Sequence, residues 1–286
     1  MKNKNYILEN FIKILYMLSA CISVLMLFII CYFLFKNGVK PIFEIGFKEF
    51  IFGKKWLPSS EYFGIFPMII SSIYLTALSS IIGIILGILT AIYLVYYCNK
   101  KYLKIYERAI DLLASIPSVI YGFFGMMVIV PIIRIFTGGS GKNILSASIL
   151  LAIMILPTII SITQSSLKQV PNNYLEGSLA LGATYERSIF LVVLPAAKSG
   201  IYASIMLGMG RAIGETMAVI MVMGNQVVMP NIFKGARSLT ANIVLELGYA
   251  TDMHREALIG TSVVLFIFIL IINLVFTFIN GGKNEK

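Results

Sequence analysis

The chain has 286 residues, of which 58% are hydrophobic and only 13% charged, a composition too apolar for an ordinary soluble domain. Its length allows about six membrane-spanning helices. The net charge of +10 does not indicate nucleic-acid binding, because the basic residues lie between apolar runs, where anionic lipid headgroups and the positive charge typical of cytoplasmic loops account for them.

Cysteine and histidine are too sparse to build a site. The cysteines Cys21, Cys31 and Cys98 have neither CxxC nor metal-ligand spacing, and His254 is the single histidine. We therefore expect no disulfide framework, no metal site and no cofactor.

The first apolar run covers residues 14–35 and follows Lys2, Lys4 and Lys13. It is too long for a typical signal-peptide core, and no small-x-small cleavage site follows it. We therefore predict an uncleaved span in the cell membrane with a cytoplasmic N-terminus. The mixed segment 36–61 is placed outside, so that the chain divides into residues 1–61 and a transmembrane domain of residues 62–286.

The next two spans are predicted near residues 72–97 and 112–133, with the short basic loop 99–108 between them on the cytoplasmic side. The third span contains the stretch Ser115-Ile-Pro-Ser-Val-Ile-Tyr-Gly122. Proline in a span frees a backbone carbonyl, so this stretch is either a packing kink or a place where the two serines line a solute path.

Residues 137–143 resemble part of a phosphate-binding P-loop. Phe136 stands where the first glycine belongs, however, and Asn143 replaces the Ser or Thr that would hold magnesium. We therefore predict a turn and no nucleotide site. The fourth span follows at about residues 144–162 and contains Pro157.

A polar segment, residues 169–198, separates the fourth and fifth spans. Asn173 can cap a helix that starts near Tyr174, and Gly182 can end it about two turns later. Such a helix is too polar to span. It lies either at the membrane interface or in a socket for a cytoplasmic partner.

The fifth apolar run, residues 199–233, is charged only at Arg211 and Glu215. A charge at a helix centre costs about 2.5–3.5 kcal/mol on insertion scales, so compensation is needed. In one continuous helix the i, i+4 spacing puts both side chains on one face, close enough to pair. Three glycines would let another helix approach that face: Gly208, Gly210 and Gly214.

The pair Arg211 and Glu215 either only holds helices together or marks a solute path, and intramembrane charges favour the path. The arginine fork suits a tetrahedral oxyanion, and a nearby carboxylate can accept hydrogen bonds from the protonated oxygens of hydrogenphosphate. The residues expected along the path are Arg211, Glu215, Thr216, Ser115 and Ser118.

The last third of the chain completes the topology. Residues 225–255 are mixed in character and are placed outside, either as a docking or gating surface or as a solvated loop. The sixth span is predicted at about residues 257–279, which leaves the C-terminus in the cytoplasm.

The polar segment resembles the cytoplasmic EAA loop of ABC importer permeases, whose pattern is Glu-Ala-Ala, three residues, Gly, nine residues and Ile-x-Leu-Pro. Glu176, Gly182 and the pair Leu194-Pro195 fall at those spacings, while Gly177 and Ser178 replace the two alanines. The resemblance implies that residues 172–190 form a coupling helix that docks on an ATPase subunit. The residues implied in that coupling are Glu176, Gly177, Ser178, Gly182, Leu194 and Pro195.

The stretch Arg211-Ala-Ile-Gly-Glu-Thr216 resembles the signature of phosphate (Pst) permeases, and Met217-Ala-Val219 is similar to its continuation in PstC-type subunits. Residues 90–94, 116–122 and 239–246 resemble PstC-type sequences as well. The similarity extends from about residue 62 to the end.

Membership implies an all-α membrane protein with a MetI-like permease core in spans two to six and with no catalysis in this chain. It also implies a PstA-type sister permease in a heterodimer, a pair of ATP-binding subunits on the cytoplasmic face and an extracytoplasmic phosphate-binding protein. Transport would then be ATP-driven alternating access, with the substrate path around Arg211.

Three alternatives stay open at this point. Permeases for sulfate, molybdate or phosphonate share the loop pattern. A stand-alone secondary anion transporter or channel is disfavoured, because it needs no ATPase socket and no inverted repeat is evident. A structural scaffold would leave the charges of the fifth span unexplained.

Overall fold

The structure, a computed structural model, describes residues 2–281, with side chains described from residue 9 to residue 278. Within that part of the chain the fold is helical apart from one antiparallel hairpin, in which Trp56–Leu57 (β1) pairs with Tyr62–Phe63 (β2). The predicted all-α class is confirmed. The helices are α1 (Lys2–Ile45), α2 (Phe47–Phe52), α3 (Phe66–Ile92), α4 (Lys100–Ser115), α5 (Ser118–Phe124), α6 (Val130–Thr137), α7 (Ile144–Lys168), α8 (Asn172–Ala180), α9 (Tyr185–Ser188), α10 (Leu194–Ala196), α11 (Lys198–Gly214), α12 (Met217–Val222), α13 (Leu239–Glu246) and α14 (Asp252–Gly281).

Short irregular turns prolong or join several of these helices. A 3-10 turn, Pro58–Ser60, closes the hairpin, and three π-helical turns continue α3 and join α5 to α6 and α9 to α10. The π-helical turns are Tyr93–Tyr97, Gly125–Ile129 and Ile189–Val193.

Six stretches can account for the predicted spans. Five are long and apolar enough to cross a membrane: Glu9–Ile45, Phe66–Tyr97, Ser118–Thr137, Ile144–Lys168 and Asp252–Phe278. The sixth is a bent pair, Tyr185–Ala196 and Lys198–Gly214, which meet at 73°. The prediction of about six transmembrane helices is confirmed with the bent pair counted as one.

Two predicted spans were wrong in their boundaries. The third does not begin near residue 112, because α4 ends at Ser115 and Ile116 takes an extended conformation (φ −68°, ψ 126°). A residue that precedes proline disfavours the helical region, so Pro117 separates two helices and does not kink one. The fifth span is not helical to residue 233, since the chain leaves α12 at Val222 and continues irregularly to α13.

The core is built around α7, which packs against α3 on one side and α11 on the other. Glycines allow these close approaches: a Cβ on Gly83 would lie 2.6 Å from Ile155 Cδ1, and one on Gly208 would lie 2.9 Å from Ile159 Cγ1. Within a membrane, small residues at helix contacts provide the van der Waals packing that drives association. The predicted role of Gly208 is confirmed, whereas Gly210 and Gly214 have no neighbour within 4 Å of such a Cβ.

This difference between two glycines of one helix gives a matched test of packing. Gly208→Leu is expected to destabilise the chain by about 1–3 kcal/mol, because the new side chain must displace Ile159. Gly210→Leu is the control, since open space surrounds that position. Thermal unfolding of the purified chain in detergent measures both, and equal melting temperatures for the two variants would contradict the packing of α11 on α7.

Residues 36–63 fold back onto the last two helices. α1 continues to Ile45 and packs on α14, where a Cβ on Gly38 would lie 2.9 Å from the carbonyl oxygen of Ile259. The hairpin then joins one buried apolar cluster with α13 and α14. Members of that cluster include Phe50, Trp56, Phe63, Met68, Leu239 and Leu258.

The glycine-rich stretch after α6 is a turn, as predicted. Gly138 (φ +67°) and Gly141 (φ +75°) both adopt left-handed backbone conformations that glycine permits. The side chain of Asn143 accepts a hydrogen bond from Ser146 N at 2.9 Å and so caps α7. Asn143 therefore has a local structural role.

Candidate functional site

The fifth span breaks at the stretch that carries its two charges. α11 ends at Gly214, Glu215 is extended (φ −71°, ψ 125°), and α12 begins at Met217. The predicted continuous helix is therefore wrong at this point. The predicted ion pair is wrong too, because Arg211 and Glu215 are not among the pairs within 4.0 Å in the described part of the chain. Beyond the end of α11 the i, i+4 relation no longer holds.

Glu215 stabilises the start of α12. Its Oε1 accepts a hydrogen bond from Ala218 N at 3.2 Å, which satisfies one of the free amide groups at the helix N-terminus and places a negative charge there. Thr216 Oγ1 donates to Gly214 O at 3.2 Å across the break. Both polar side chains thus support the interruption, and both are half-buried.

Arg211 lies in the last turn of α11, where the helix dipole favours a cation. Its Nη1 donates to Thr158 Oγ1 at 3.3 Å, and Thr158 follows Pro157 in α7. A guanidinium carries five N–H donors, so this single bond to the described residues leaves most of them for an anion. The side chain is half-buried and is therefore partly shielded from solvent.

A second interruption lies between α4 and α5, at the serines predicted to kink a span or line a path. Ser115 is exposed and its Oγ donates to Leu112 O at 2.8 Å, within its own helix. Ser118 is half-buried at the first position of α5. Tyr121 fixes the interruption, because its hydroxyl donates to Leu113 O at 2.7 Å.

The two interruptions are neighbours. α5 packs on α12, and a Cβ on Gly122 would lie 2.9 Å from Ala218 Cα. Arg211 and Thr158 therefore meet from α11 and α7, next to these broken segments.

Sequence reasoning missed Thr158 as a neighbour of Arg211 and Tyr121 as the residue that fixes the second interruption. Thr158 carried a detectable signal, because hydroxyl side chains near a proline in a span often mark polar contacts between helices. Tyr121 lay within the stretch examined for Ser115 and Ser118 but had no charge or unusual spacing. The structure does not bring Ser115 to Arg211 by any hydrogen bond in the described residues.

The polar segment contains the predicted short helix, α8, and its side chains are exposed or half-buried. Gly182 ends it in a left-handed conformation (φ +86°), as predicted. Asn173 is not its cap: the helix begins at Asn172, and Pro171 with its fixed φ of −59° occupies the N-cap position without a side-chain hydrogen bond. The predicted cap was therefore wrong by two residues.

The residues that match the EAA pattern differ in their surroundings. Glu176 is exposed, and no atom lies within 4 Å of a Cβ on Gly177. Ser178 Oγ and Ser188 Oγ lie 2.7 Å apart in a hydrogen bond that joins α8 to α9. Leu181, the residue before Gly182, is 91% exposed.

The end of the polar segment connects α8 to the rest of the molecule. Leu194 is half-buried against an apolar cluster that includes Leu94, Leu167 and Val193, and Pro195 is exposed in the first turn of α10. The 73° bend that follows leads directly into α11. A displacement of α8 therefore has a short helical route to Arg211, fifteen residues beyond Ala196.

A buried polar network lies at the corner of α13 and α14 and was missed by sequence reasoning, which left residues 225–255 as a surface or a solvated loop. Glu246 accepts hydrogen bonds from Trp56 Nε1 at 2.8 Å, from His254 Nε2 at 2.8 Å and from Arg237 Nη1. Arg237 also donates to Asn242 Oδ1 at 3.0 Å. The network ties the β1–β2 hairpin to the loop that follows α12.

Burial by itself would raise the pKa of Glu246, but the hydrogen bonds from Trp56, His254 and Arg237 outweigh it and the pKa is lowered. A lowered carboxyl pKa contributes stability that is fully present above the ordinary value of 4.5 and is lost as the pH falls through the folded value. The hairpin attachment should therefore weaken under acid conditions.

Glu246→Gln is expected to destabilise the chain at pH 7 by about 3 kcal/mol, because Arg237 is left buried without its counter-charge. The variant should also lose part of the decrease in melting temperature that the parent chain shows as the pH falls below 4.5. Melting curves between pH 7 and about pH 3 measure both effects. Glu61→Gln, at an exposed carboxylate, is the control, and an unchanged melting temperature in Glu246→Gln would refute the role of the network.

Known proteins resemble this chain over most of its length. The family described as "Binding-protein-dependent transport system inner membrane component" matches residues 83–282. The "Probable ABC transporter permease protein YqgH" of Bacillus subtilis is 40% identical over 246 residues, which cover 82% of this chain and 78% of that protein. The "Phosphate transport system permease protein PstC" of Mesorhizobium japonicum is 33% identical over 261 residues, with 84% and 80% covered.

Among solved structures, the inward-facing MetNI methionine ABC transporter aligns with a TM-score of 0.60 at 20% identity, over 74% of this chain and 92% of that one. This likeness confirms the MetI-like fold. The matched family provides translocation subunits and not catalytic ones, as expected. The chain therefore belongs to the family of binding-protein-dependent transport system inner membrane components, the permeases of ABC importers, and its resemblance to PstC-type phosphate permeases is confirmed.

Proposed function

We propose that this chain is the permease subunit of an ATP-driven importer that carries inorganic phosphate across the cell membrane. The observation that carries the proposal is the half-buried guanidinium of Arg211, which lies where two broken helices meet and makes one hydrogen bond to the described protein. Charge-assisted hydrogen bonds from a forked guanidinium suit a phosphate oxygen pair.

The separation of Arg211 from Glu215 supports a path between them. Had the two groups paired, each would have neutralised the other; instead the distance exceeds that of an ion pair. One oxygen of Glu215 is used by Ala218, which leaves the other to accept a hydrogen bond. Hydrogenphosphate offers such a proton, whereas sulfate does not, so Glu215 favours phosphate over sulfate.

Transport proceeds by alternating access, with Arg211 exposed first to one side of the membrane and then to the other. ATP binding and hydrolysis in a partner move α8, and the bend before α11 carries that motion to the site. Binding at Arg211 must be weak enough for release, so the extracytoplasmic binding protein sets most of the selectivity.

The exposed residues of α8 and of the fifth span indicate which surfaces contact the partner subunits. α8, with Glu176 and Leu181 exposed, docks on one of a pair of ATP-binding subunits at the cytoplasmic face. The exposed Gly210 and Gly214, with open space around them, face a PstA-type sister permease in a heterodimer. Both termini are cytoplasmic, and the hairpin with residues 225–255 faces the phosphate-binding protein.

The test is uptake of labelled phosphate into proteoliposomes that hold this chain with its sister permease, its ATPase subunits and its binding protein. Uptake is expected to require ATP and to be inhibited by excess unlabelled phosphate but not by excess sulfate. Inhibition by excess sulfate would instead indicate that the protein is a sulfate permease. Uptake without the ATPase subunits would support a secondary transporter instead.

A further inference from the structure

The helix between the second and third spans, α4, has three distinct faces. The packed face carries Leu103, Glu107 and Ile110, which are half-buried. Glu107 Oε1 accepts hydrogen bonds from Gln164 Nε2 at 2.7 Å and from Lys168 Nζ at 3.1 Å, both at the end of α7. This face is therefore fixed to the protein, and the charge of Glu107 is neutralised by Lys168.

The second face is apolar and exposed. Ile105 is 63% exposed and Leu112 is 69% exposed, and both lie on a sector next to three further apolar side chains. These are Tyr102, Tyr106 and Leu113. A contiguous apolar stripe on a surface helix marks a contact with a lipid phase or a partner.

The third face is basic. Lys100, Lys104 and Arg108 follow each other at i, i+4 spacing, and Lys101 lies beside them, so four cations share about 100° of the helix surface. Asp111 is the one carboxylate on that sector. All four basic side chains are exposed, and Glu107 lies at the edge of that sector, about 20° from Lys100, with its carboxylate bonded to α7.

The ends of α4 fix its position relative to the membrane. The preceding span ends at Tyr97 and the following one begins at Ser118, so only a few residues connect α4 to each span. A helix of sixteen residues is about 24 Å long, whereas two extended residues reach about 7 Å. An α4 that pointed away from the bilayer could not return its C-terminus to the next span, so α4 lies along the membrane surface.

Contacts between aromatic side chains also indicate that α4 lies at the membrane surface. The rings of Tyr93, at the end of the second span, and Tyr106 meet edge to face with centroids 6.3 Å apart. Tyrosine is enriched at the boundary between the acyl chains and the headgroups. The apolar sector of α4 therefore begins where that boundary lies.

We propose that α4 is an interfacial helix that binds anionic lipid: Ile105 and Leu112 insert at the acyl boundary, while Lys101, Lys104 and Arg108 contact negatively charged headgroups. The combination of an apolar sector with a flanking basic sector fits an anionic membrane surface. A protein partner would have to cover the apolar sector and match four cations as well. Because Glu107 joins α4 to α7, the lipid contact also anchors the core helix next to Arg211.

Lipid-selective quenching tests this proposal on the full chain. The Ile105→Trp variant is reconstituted in vesicles with equal mole fractions of phosphatidylglycerol and phosphatidylcholine, one of them brominated in its acyl chains. Subtraction of the parent emission removes the signal of Trp56. Brominated phosphatidylglycerol is expected to quench the new tryptophan about threefold more strongly than brominated phosphatidylcholine. The preference should disappear in 1 M NaCl, where charges are screened within about 3 Å.

The triple variant Lys101→Gln, Lys104→Gln and Arg108→Gln is expected to remove the preference without removing quenching. Lys54→Gln with Lys55→Gln, at two exposed lysines beside the hairpin, is the matched control and should retain it. Equal quenching by both lipids in the chain with its basic residues intact would overturn headgroup recognition. Absence of quenching by either lipid would overturn the lipid contact. The measurement in 1 M NaCl tests headgroup recognition on the chain with its basic residues intact, even if the triple variant does not fold.

Discussion

Arg211→Ala is expected to lower phosphate uptake by at least about 100-fold in proteoliposomes that contain the complete transporter. Each charge-assisted hydrogen bond contributes about 1.5–3 kcal/mol, and the guanidinium can supply two to one phosphate. The loss should appear in uptake and not in assembly, because Arg211 makes only one hydrogen bond to the described protein, at 3.3 Å to Thr158. Uptake rate, ATP hydrolysis and recovery of the complex are measured together.

Arg134→Ala is the matched control for this experiment. Arg134 also lies in the last turn of a span, α6, but it is exposed and away from the two helix interruptions. Its replacement should leave uptake within about twofold of the parent. Full phosphate uptake by Arg211→Ala would show that Arg211 has only a structural role. Partial uptake by Arg211→Lys would indicate that charge alone supplies part of the interaction.

Glu176→Lys is expected to release the ATP-binding subunits from the permease, with at least about a 30-fold drop in the amount that co-purifies. The carboxylate is exposed on α8, and replacing a charge at an interface with its opposite costs several kcal/mol against a complementary surface. The exposed Leu181 would remain, so a weakened complex at high protein concentration is consistent with the role of α8.

Glu61→Lys provides the control for charge reversal. Glu61 is exposed in the turn of the β1–β2 hairpin, outside the polar segment that contains α8. Its substitution should leave co-purification and ATP-coupled uptake unchanged. If Glu176→Lys retained a fully coupled complex, the assignment of α8 as the docking surface would be wrong.

The spans and the polar segment could be predicted from sequence because their signals are local. An apolar run of sufficient length can satisfy its backbone only as a helix within a membrane, so runs such as residues 144–162 located α7. Gly182 ended α8 as predicted, since a left-handed conformation selects glycine. A residue before proline disfavours the helical conformation, and this local rule applies to Ile116. The sequence could therefore have predicted a helix break there, but only a kink or a path-lining stretch was predicted.

The break after Gly214 could not be predicted in the same way. Residues 199–222 are apolar, contain no proline and would form a continuous helix by composition. The helix ends there because Glu215 caps α12 and because α12 packs on α5 through Gly122. The first contact is local, but the second exists only when the third and fifth spans are adjacent, so the break depended on packing as well as on Glu215.

By itself, the sequence determined the all-α membrane class, the number of spans, the exposed α8 and the presence of Arg211 and Glu215 in an apolar run. These features follow from composition and from residues close in sequence. Only the tertiary structure decided that Arg211 bonds Thr158 and not Glu215, and that Glu246 binds Trp56, 190 residues away. A hydrogen bond between distant residues depends on which helices touch, and that choice is made by the packing of the whole chain.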